Sequence, residues 1–413
     1  MTASLVGEII ACHECGQLFY YEPIPAGAKA QCHRCGSLLY RHIPNSLITS
    51  LALYLTALML FIIANVYPFL SLELGGRQVD SILFSSGWAM VELGMGELGA
   101  LIFMTSILFP FLVITGMLYL LIPACFGRTA PHMGAVYRVI NAILPWSLVG
   151  VFMLGVLIAI VKLQDLANVI TGPALYSLAG LLIVYTAARA SFDPNGLWSL
   201  TGHTTRDLVN AEIESDRLLH CHTCGLLNIP MLTEQPCRRC GTPLHERKRN
   251  SIQTTWSLIA TASILLIPAN VYPVMTVIRF GQGEPNTILS GVLHLIEEGM
   301  WGLAMIVFIA SIVVPIMKLL ILSYLLLSIQ RESLWRPRDR TVLYRITEVV
   351  GAWSMVDIFL VGLLSALVSL DALSTIRPGI GAIYFAGVVV ITMFAARSFD
   401  PRLIWDTIRE KER

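Results

Sequence analysis

Cys221-His222-Thr223-Cys224-Gly225 and Cys237-Arg238-Arg239-Cys240-Gly241, with twelve residues between Cys224 and Cys237, mark the point where this chain begins a second time. The same device stands near the start: Cys12-His13-Glu14-Cys15-Gly16, then Cys32-His33-Arg34-Cys35-Gly36, with sixteen residues between Cys15 and Cys32. A long apolar run comes after each box, and the motifs beyond the first box are echoed beyond the second. Ala64-Asn65-Val66-Tyr67-Pro68 returns as Ala269-Asn270-Val271-Tyr272-Pro273, and Glu92-Leu93-Gly94-Met95 as Glu297-Glu298-Gly299-Met300. Pro110 is answered by Pro315, Tyr137-Arg138 by Tyr344-Arg345, and Trp146-Ser147 by Trp353-Ser354. Ser191-Phe192-Asp193-Pro194 comes back as Ser398-Phe399-Asp400-Pro401, and the offset stays between 205 and 209 throughout. The chain is an internal duplication.

Composition says where the two copies sit. Of 413 residues, 55% are hydrophobic and 13% charged, against about 25% charged in a soluble domain. Several apolar stretches exceed the ~20 residues needed to cross a hydrocarbon core. Spans are expected at about Leu47–Phe69, Leu98–Ile122, Val139–Val161 and Ala174–Ala190 in the first copy. In the second they fall at about Thr255–Met275, Trp301–Leu327, Ile346–Leu370 and Gly379–Ala396. The expected fold is an all-α polytopic membrane protein: two parallel repeats of four transmembrane helices, each preceded by a small cytoplasmic zinc-ribbon module. Its divisions are ribbon 1 (1–44), transmembrane unit 1 (45–194), a linker (195–219), ribbon 2 (220–246), transmembrane unit 2 (247–401) and a cytoplasmic tail (402–413). The mixed segment Gly75–Gly96, with Trp88 and Glu92, reads as a helix lying at the interface, and Lys162–Pro173 as a polar connection. The first apolar run comes only after the cysteine-rich segment, so the first span is expected to target the chain itself.

Lys and Arg set the orientation. With the N-terminus in the cytoplasm, 23 of the 28 basic residues fall on that side; Arg77, Lys162, Arg279 and Arg377 lie outside and Lys318 within a span. Both cysteine modules and both termini then face the cytoplasm, and four spans per copy make the repeat parallel, about an axis along the membrane normal. The basic residues beside the knuckles, Arg247, Lys248 and Arg249 among them, read as the anchor of the next span, with protein docking or contact between the two ribbons as the alternative. A net charge of +1 gives no case for nucleic acid.

Eight of the nine cysteines fall in Cys-X2-Cys pairs followed by Gly, which is metal-knuckle spacing rather than a secreted disulfide framework. Cys12, Cys15, Cys32 and Cys35 make one tetrahedral Zn²⁺ site, and Cys221, Cys224, Cys237 and Cys240 a second, both structural because no coordination position is left open. A module this small has too little core to fold alone, and metal binding can supply on the order of 10–16 kcal/mol to folding. Spacing leaves a rubredoxin-like iron site or a redox dithiol open as alternatives. His13, His33 and His222 are bystanders in this reading, and Cys125 is an apolar filler.

A charge at membrane depth costs at least about 2.5–3.5 kcal/mol on insertion scales, so each one needs a reason. Lys318 and Asp357 appear only in the second copy, where Val113 and Gly150 are their counterparts. They read either as a helix–helix ion pair or as a relay along a pathway, with Ser311, Ser354, Ser365 and Thr392 completing a polar cluster. Lys162 and Asp165 form a second candidate near the outer end of the third span, with snorkelling to the interface as the simpler account of them. Asn65 and Asn270 stand where proline ends the first span of each copy, and their amides are expected to satisfy helix carbonyls. No Ser-His-Asp set, P-loop, dinucleotide glycine motif or intramembrane metalloprotease motif is present, so the chain is not expected to be an enzyme or to hydrolyse ATP.

The paired cysteine knuckles, the Ala-Asn-Val-Tyr-Pro endings and the Ser-Phe-Asp-Pro motifs resemble the paraquat-inducible protein A (PqiA/LetA) family over essentially the whole chain. The resemblance implies a bacterial inner-membrane protein working with a periplasmic MCE-domain partner of the PqiB or LetB type, whose stacked rings form a tunnel. It implies lipid traffic between the two membranes in support of envelope integrity, and zinc at the eight cysteines. A component that passes lipid to the tunnel without ATP, with protonation as one way to set its two states, is the leading expectation. A non-transporting anchor for the MCE protein and a thiol redox protein are the alternatives.

Overall fold

The computed structural model describes residues 9–74, 77–164, 168–202, 218–229, 236–279, 282–297, 299–367 and 374–412. Ribbon 1 is two short hairpins, β1 (Ile9–Ala11) with β2 (Leu18–Tyr20) and β3 (Lys29–Gln31) with β4 (Leu38–Arg41). Unit 1 follows with α1 (Ser46–Val66), a hairpin β5 (Leu70–Leu74) and β6 (Arg77–Ser81), α2 (Leu83–Glu92) and α3 (Gly96–Cys125). It ends with α4 (Met133–Val161), β7 (Asn168–Thr171) and α5 (Pro173–Ser191). Ribbon 2 contributes β8 (Leu219–His220) and β9 (Leu227–Asn228). Unit 2 repeats the pattern: α6 (Ser251–Val271), β10 (Met275–Arg279), β11 (Gln282–Asn286), α7 (Ile288–Glu297), α8 (Trp301–Gln330), α9 (Pro337–Ser365), β12 (Ser374–Pro378) and α10 (Ile380–Ser398). Helix α11 (Leu403–Glu412) closes the described chain. The 21 residues of α1 rise about 31 Å, one hydrocarbon core.

The membrane class and the parallel duplication are as expected, and the strands at the far end are not. Residues 77–81 pair with β5 instead of entering an interfacial helix, which begins only at Leu83, and the polar connection before α5 carries β7. Each unit therefore ends, away from its ribbon, in a three-stranded antiparallel sheet: β6-β5-β7 and β11-β10-β12. The sheet ties the end of α1 to the start of α5, and glycine makes the junction possible. A Cβ on Gly172 would lie 2.1 Å from the Pro68 carbonyl oxygen, and one on Gly379 2.1 Å from that of Pro273. Gly172→Ala is accordingly expected to cost about 1–3 kcal/mol and lower the midpoint of thermal unfolding. Gly196→Ala, whose Cβ would only touch Leu47 at 3.8 Å, is expected to leave the midpoint in place. Equal midpoints for the two variants would mean the junction is slack.

Other repeated motifs have matching local causes. Pro110 and Pro315 offer no N–H to the helix ladder, and a π-turn precedes each, at Met104–Leu108 and Ile309–Val313. Asn65 and Asn270 turn their amides back onto the Phe61 and Leu266 carbonyls, both at 2.8 Å. At the ribbon end Ser46 Oγ donates to the Ser191 carbonyl (2.8 Å) and accepts from Asp193 N–H (2.7 Å). Ser251 does the same with Ser398 and Asp400, at 2.8 and 3.0 Å. The Ser-Phe-Asp-Pro motif is thus a staple between the first and last span of its unit.

A self-pair locates the duplication axis. Phe152 of α4 packs edge-on against Phe359 of α9, ring centroids 5.4 Å apart. The two are 207 residues apart, the offset of these helices, so the residue touches its own repeat counterpart, as happens beside a two-fold axis. His13 of ribbon 1 meets His220 of ribbon 2 at 4.7 Å, again edge-on, although the repeat counterpart of His13 is His222. The symmetry fails elsewhere. Met90 of α2 and Ile102 of α3 lie against Gly362 of α9 in the main core, whereas Val292, Leu295, Ala304 and Val307 of α7 and α8 form a small cluster of their own.

Candidate metal centres and a buried polar cluster

Each ribbon is organised around its four sulfurs. Cys-X2-Cys turns present two thiols each, and the following glycines Gly16, Gly36, Gly225 and Gly241 all adopt positive φ, between 69° and 76°. Their N–H groups close the turns on the first cysteine of each knuckle, Gly16 on Cys12 and Gly241 on Cys237, at 2.9 and 2.8 Å. All four Sγ atoms of each group lie within 4.8 Å of one another, and all eight cysteines are buried. The cross-knuckle distances are 3.5 Å for Cys12–Cys35, 3.6 Å for Cys15–Cys32, and 3.5 Å for both Cys221–Cys240 and Cys224–Cys237. Four thiolates about 2.3 Å from one tetrahedral ion stand about 3.8 Å apart, so both groups can hold a metal ion. Ser37 Oγ lies 2.8 Å from Cys12 Sγ, and Thr242 Oγ1 3.0 Å from Cys240 Sγ. These hydroxyls come directly after the last knuckle of each ribbon as Gly-Ser and Gly-Thr, a repeat that the sequence also carries and that spacing of the cysteines alone does not single out. Hydroxyl donors to thiolates steady the ligand sulfurs.

Each ribbon docks on the other copy's transmembrane unit. From α9 of unit 2, Arg345 Nε donates to both carboxylate oxygens of Glu14 (2.7 and 2.8 Å), and its Nη2 to the Cys35 carbonyl (3.0 Å). From α4 of unit 1, the counterpart Arg138 donates to the Gly241 carbonyl at 2.7 Å. The third knuckle position repeats the exchange: Arg34 lies over Trp405 at 4.9 Å, and Arg239 over Trp198 at 5.8 Å. A Cβ on Gly134 would come within 2.9 Å of Cys240 backbone, so ribbon 2 sits directly on α4. Burial holds His13 and His220 below the ordinary histidine range, so their edge-on rings are neutral. His13 is no part of the four-thiol group, as expected, and with His220 it joins the ribbons to each other.

The intramembrane residues separate into those brought together and those not described. Lys318 of α8 is 2% exposed, and its ammonium donates to Thr392 Oγ1 of α10 at 2.9 Å. Ser354 and Ser365 are buried in α9, and neither hydroxyl has a partner among the described residues. A Cβ on Gly351 would lie 3.1 Å from Lys318 Nζ, so glycine there makes room for the ammonium. Ser311 is occupied locally by the Val307 carbonyl, at 2.6 Å. Asp165 and the side chains of Lys162 and Asp357 lie outside the described residues. In unit 1 the same level holds Ser147 bonded to Tyr185 at 2.9 Å, counterparts of Ser354 and Thr392, with apolar Val113 in place of the lysine.

Eight apolar spans in two parallel four-helix units, each with a four-thiol ribbon, define a multi-pass membrane protein with paired metal-binding modules. Residues 47–201 and 252–409 each match the family model described as Paraquat-inducible protein A, and the chain belongs to that family. It is 30% identical over 401 residues to the Lipophilic envelope-spanning tunnel protein A of Escherichia coli K12, covering 97% of this chain and 92% of the relative. To the Intermembrane transport protein PqiA of the same strain it is 31% identical over 369 residues, 87% and 86% of the two chains. A Probable intermembrane transport protein of Haemophilus influenzae is 28% identical over 360 residues, 85% and 84% of the two chains. No solved structure matches the chain.

Proposed function

We propose that the chain is an inner-membrane lipid transport component that passes lipids between the bilayer and a periplasmic tunnel built by an MCE-domain protein. The observation carrying this reading is that relatives matching nearly the whole chain are named for intermembrane transport and for an envelope-spanning tunnel. The ribbons and both termini lie in the cytoplasm, where the excess of Lys and Arg falls. The far-end sheets, which carry Arg77, Arg279 and Arg377, then face the periplasm and the tunnel. Zn²⁺ is held by Cys12, Cys15, Cys32 and Cys35 and by Cys221, Cys224, Cys237 and Cys240; it fixes the ribbons and does no chemistry, because sulfur fills all four positions.

Lys318 supplies the bias a transporter without ATP needs. A buried ammonium whose partner among the described residues is a neutral hydroxyl is expensive in its charged form, so gaining or losing its proton favours different packings of α8 against α9 and α10. Ser354 and Thr392 complete the cluster, with Asp357, Lys162 and Asp165 as its proposed partners. Lys318→Met keeps the side-chain volume and removes the charge. It is expected to abolish lipid delivery to tunnel-bearing acceptor vesicles while partner association and two metal ions per chain persist. Full delivery by Lys318→Met would remove the relay. Partner binding without lipid movement by the unaltered protein would leave an anchor.

A further inference from the structure

We infer that the cavity between the two ribbons and unit 1 is a binding site for a phosphate-bearing membrane amphiphile. This deepens the transport reading, on which it rests, by naming a substrate class and a place of entry at the ribbon end. The cavity holds about 770 Å³, within the roughly 300–1,000 Å³ usual for small-molecule sites. Its lining is two-sided. Val113, Met117 and Ile140, all buried, make an apolar floor between α3 and α4. Among the described residues three guanidiniums, Arg41, Arg189 and Arg239, line it at the ribbon end, against one carboxylate, that of Asp193.

That division of charge selects the ligand. Guanidinium presents a planar fork of N–H donors that matches phosphate oxygens, and an excess of three such groups over one carboxylate favours an anion. A soluble anion has no use for the floor, and a neutral lipid none for the arginines. A phosphate head joined to a hydrocarbon tail uses both. The cavity reaches the cytoplasmic edge of the bilayer: Asn141 stands two residues inside the span expected at Val139–Val161, and Thr186 four residues inside the one expected at Ala174–Ala190. Both side chains are exposed and both line the cavity, so it is open to the headgroup level, where an amphiphile presents its phosphate.

The duplication has kept this lining in one unit only. Val113 is replaced by Lys318 in unit 2 and Arg189 by Ala396, whose neighbour Arg397 donates to the Ala142 carbonyl of unit 1 at 3.3 Å. The site therefore differs from anything its counterpart residues in unit 2 could form, and its basic ceiling is contributed by both ribbons.

The test uses the full chain in vesicles of phosphatidylglycerol and phosphatidylethanolamine, with a photoreactive amino acid at Asn141 and, as a lipid-facing reference, at Ile183. Illumination is expected to attach phospholipid at both positions. Arg189→Glu and, independently, Met117→Trp should reduce attachment at position 141 by about tenfold relative to position 183, the loss expected when a charge-assisted contact or the tail space is removed. Excess inorganic phosphate should leave attachment unchanged. Attachment at position 141 that ignores both substitutions would mean bulk lipid and overturn the site. Loss of attachment with inorganic phosphate, together with indifference to Met117→Trp, would reassign the arginines to a soluble anion and overturn it equally. Lipid delivery without occupancy at position 141 sinks the site alone, and occupancy without delivery sinks the transport reading alone.

Discussion

Cys35→Ser is expected to empty the first ribbon of metal and release it from α9, leaving the second ribbon intact. Serine oxygen is a poor substitute for thiolate, and metal binding supplies on the order of 10–16 kcal/mol to the folding of a module this small. The ribbon's interior is little more than the four sulfurs, with Phe19 and Leu39 packed beside them, so no apolar core survives the ion's loss. The damage spreads because Arg345 grips the Cys35 carbonyl at 3.0 Å, and that carbonyl is held in place by the knuckle turn. Elemental analysis should fall from two zinc ions per chain to one, and amides in β1–β4 should exchange hydrogen orders of magnitude faster. Cys237→Ser should do the same to ribbon 2. Two zinc ions retained by Cys35→Ser, or a protected first ribbon, would show that the sulfurs are not what folds it. Iron in place of zinc would keep the folding argument and change the ion.

The repeat offset, the knuckle spacing and the apolar runs are enough to give the duplication, its parallel sense and the eight spans, because each is a property of residues close in sequence. The far-end sheets are hidden for a physical reason: β5 pairs with β7 across almost a hundred residues, and no local period announces that pairing. Ser46 and Ser251 are legible in principle, since Asn45-Ser46 and Asn250-Ser251 repeat, with both asparagines at a φ of 53°. Lys318 stands out by charge alone and Thr392 by polarity, but their bond joins α8 to α10 and needs coordinates. The exchange of ribbons cannot be read at all. Nothing in the order of the chain says that a module joined to α1 will rest its knuckles on α9.

That exchange gives the second large effect. Arg345→Ala removes the donor that holds Glu14 and two ribbon carbonyls, and both members of the ion pair are less than a third exposed. Deleting one partner leaves the carboxylate of Glu14 buried without its counter-charge, so ribbon 1 should lose about 3 kcal/mol of docking energy. Arg138→Ala, the same change in the other copy, removes one bond to the Gly241 carbonyl and should cost about 1 kcal/mol. The difference comes from a single divergence, since the place of Glu14 is taken in ribbon 2 by Thr223, which bonds to Thr242 within its own ribbon. Hydrogen exchange of the two ribbons reads both numbers in one protein. Adding Glu14→Ala to Arg345→Ala should recover part of the loss, because the stranded carboxylate is gone, and the coupling between the two changes measures the pair itself. Equal costs at Arg138 and Arg345, with no coupling to Glu14, would mean that the ribbons are held by their metal-bound folds and their contact with each other, not by the arginines reaching across from the opposite repeat.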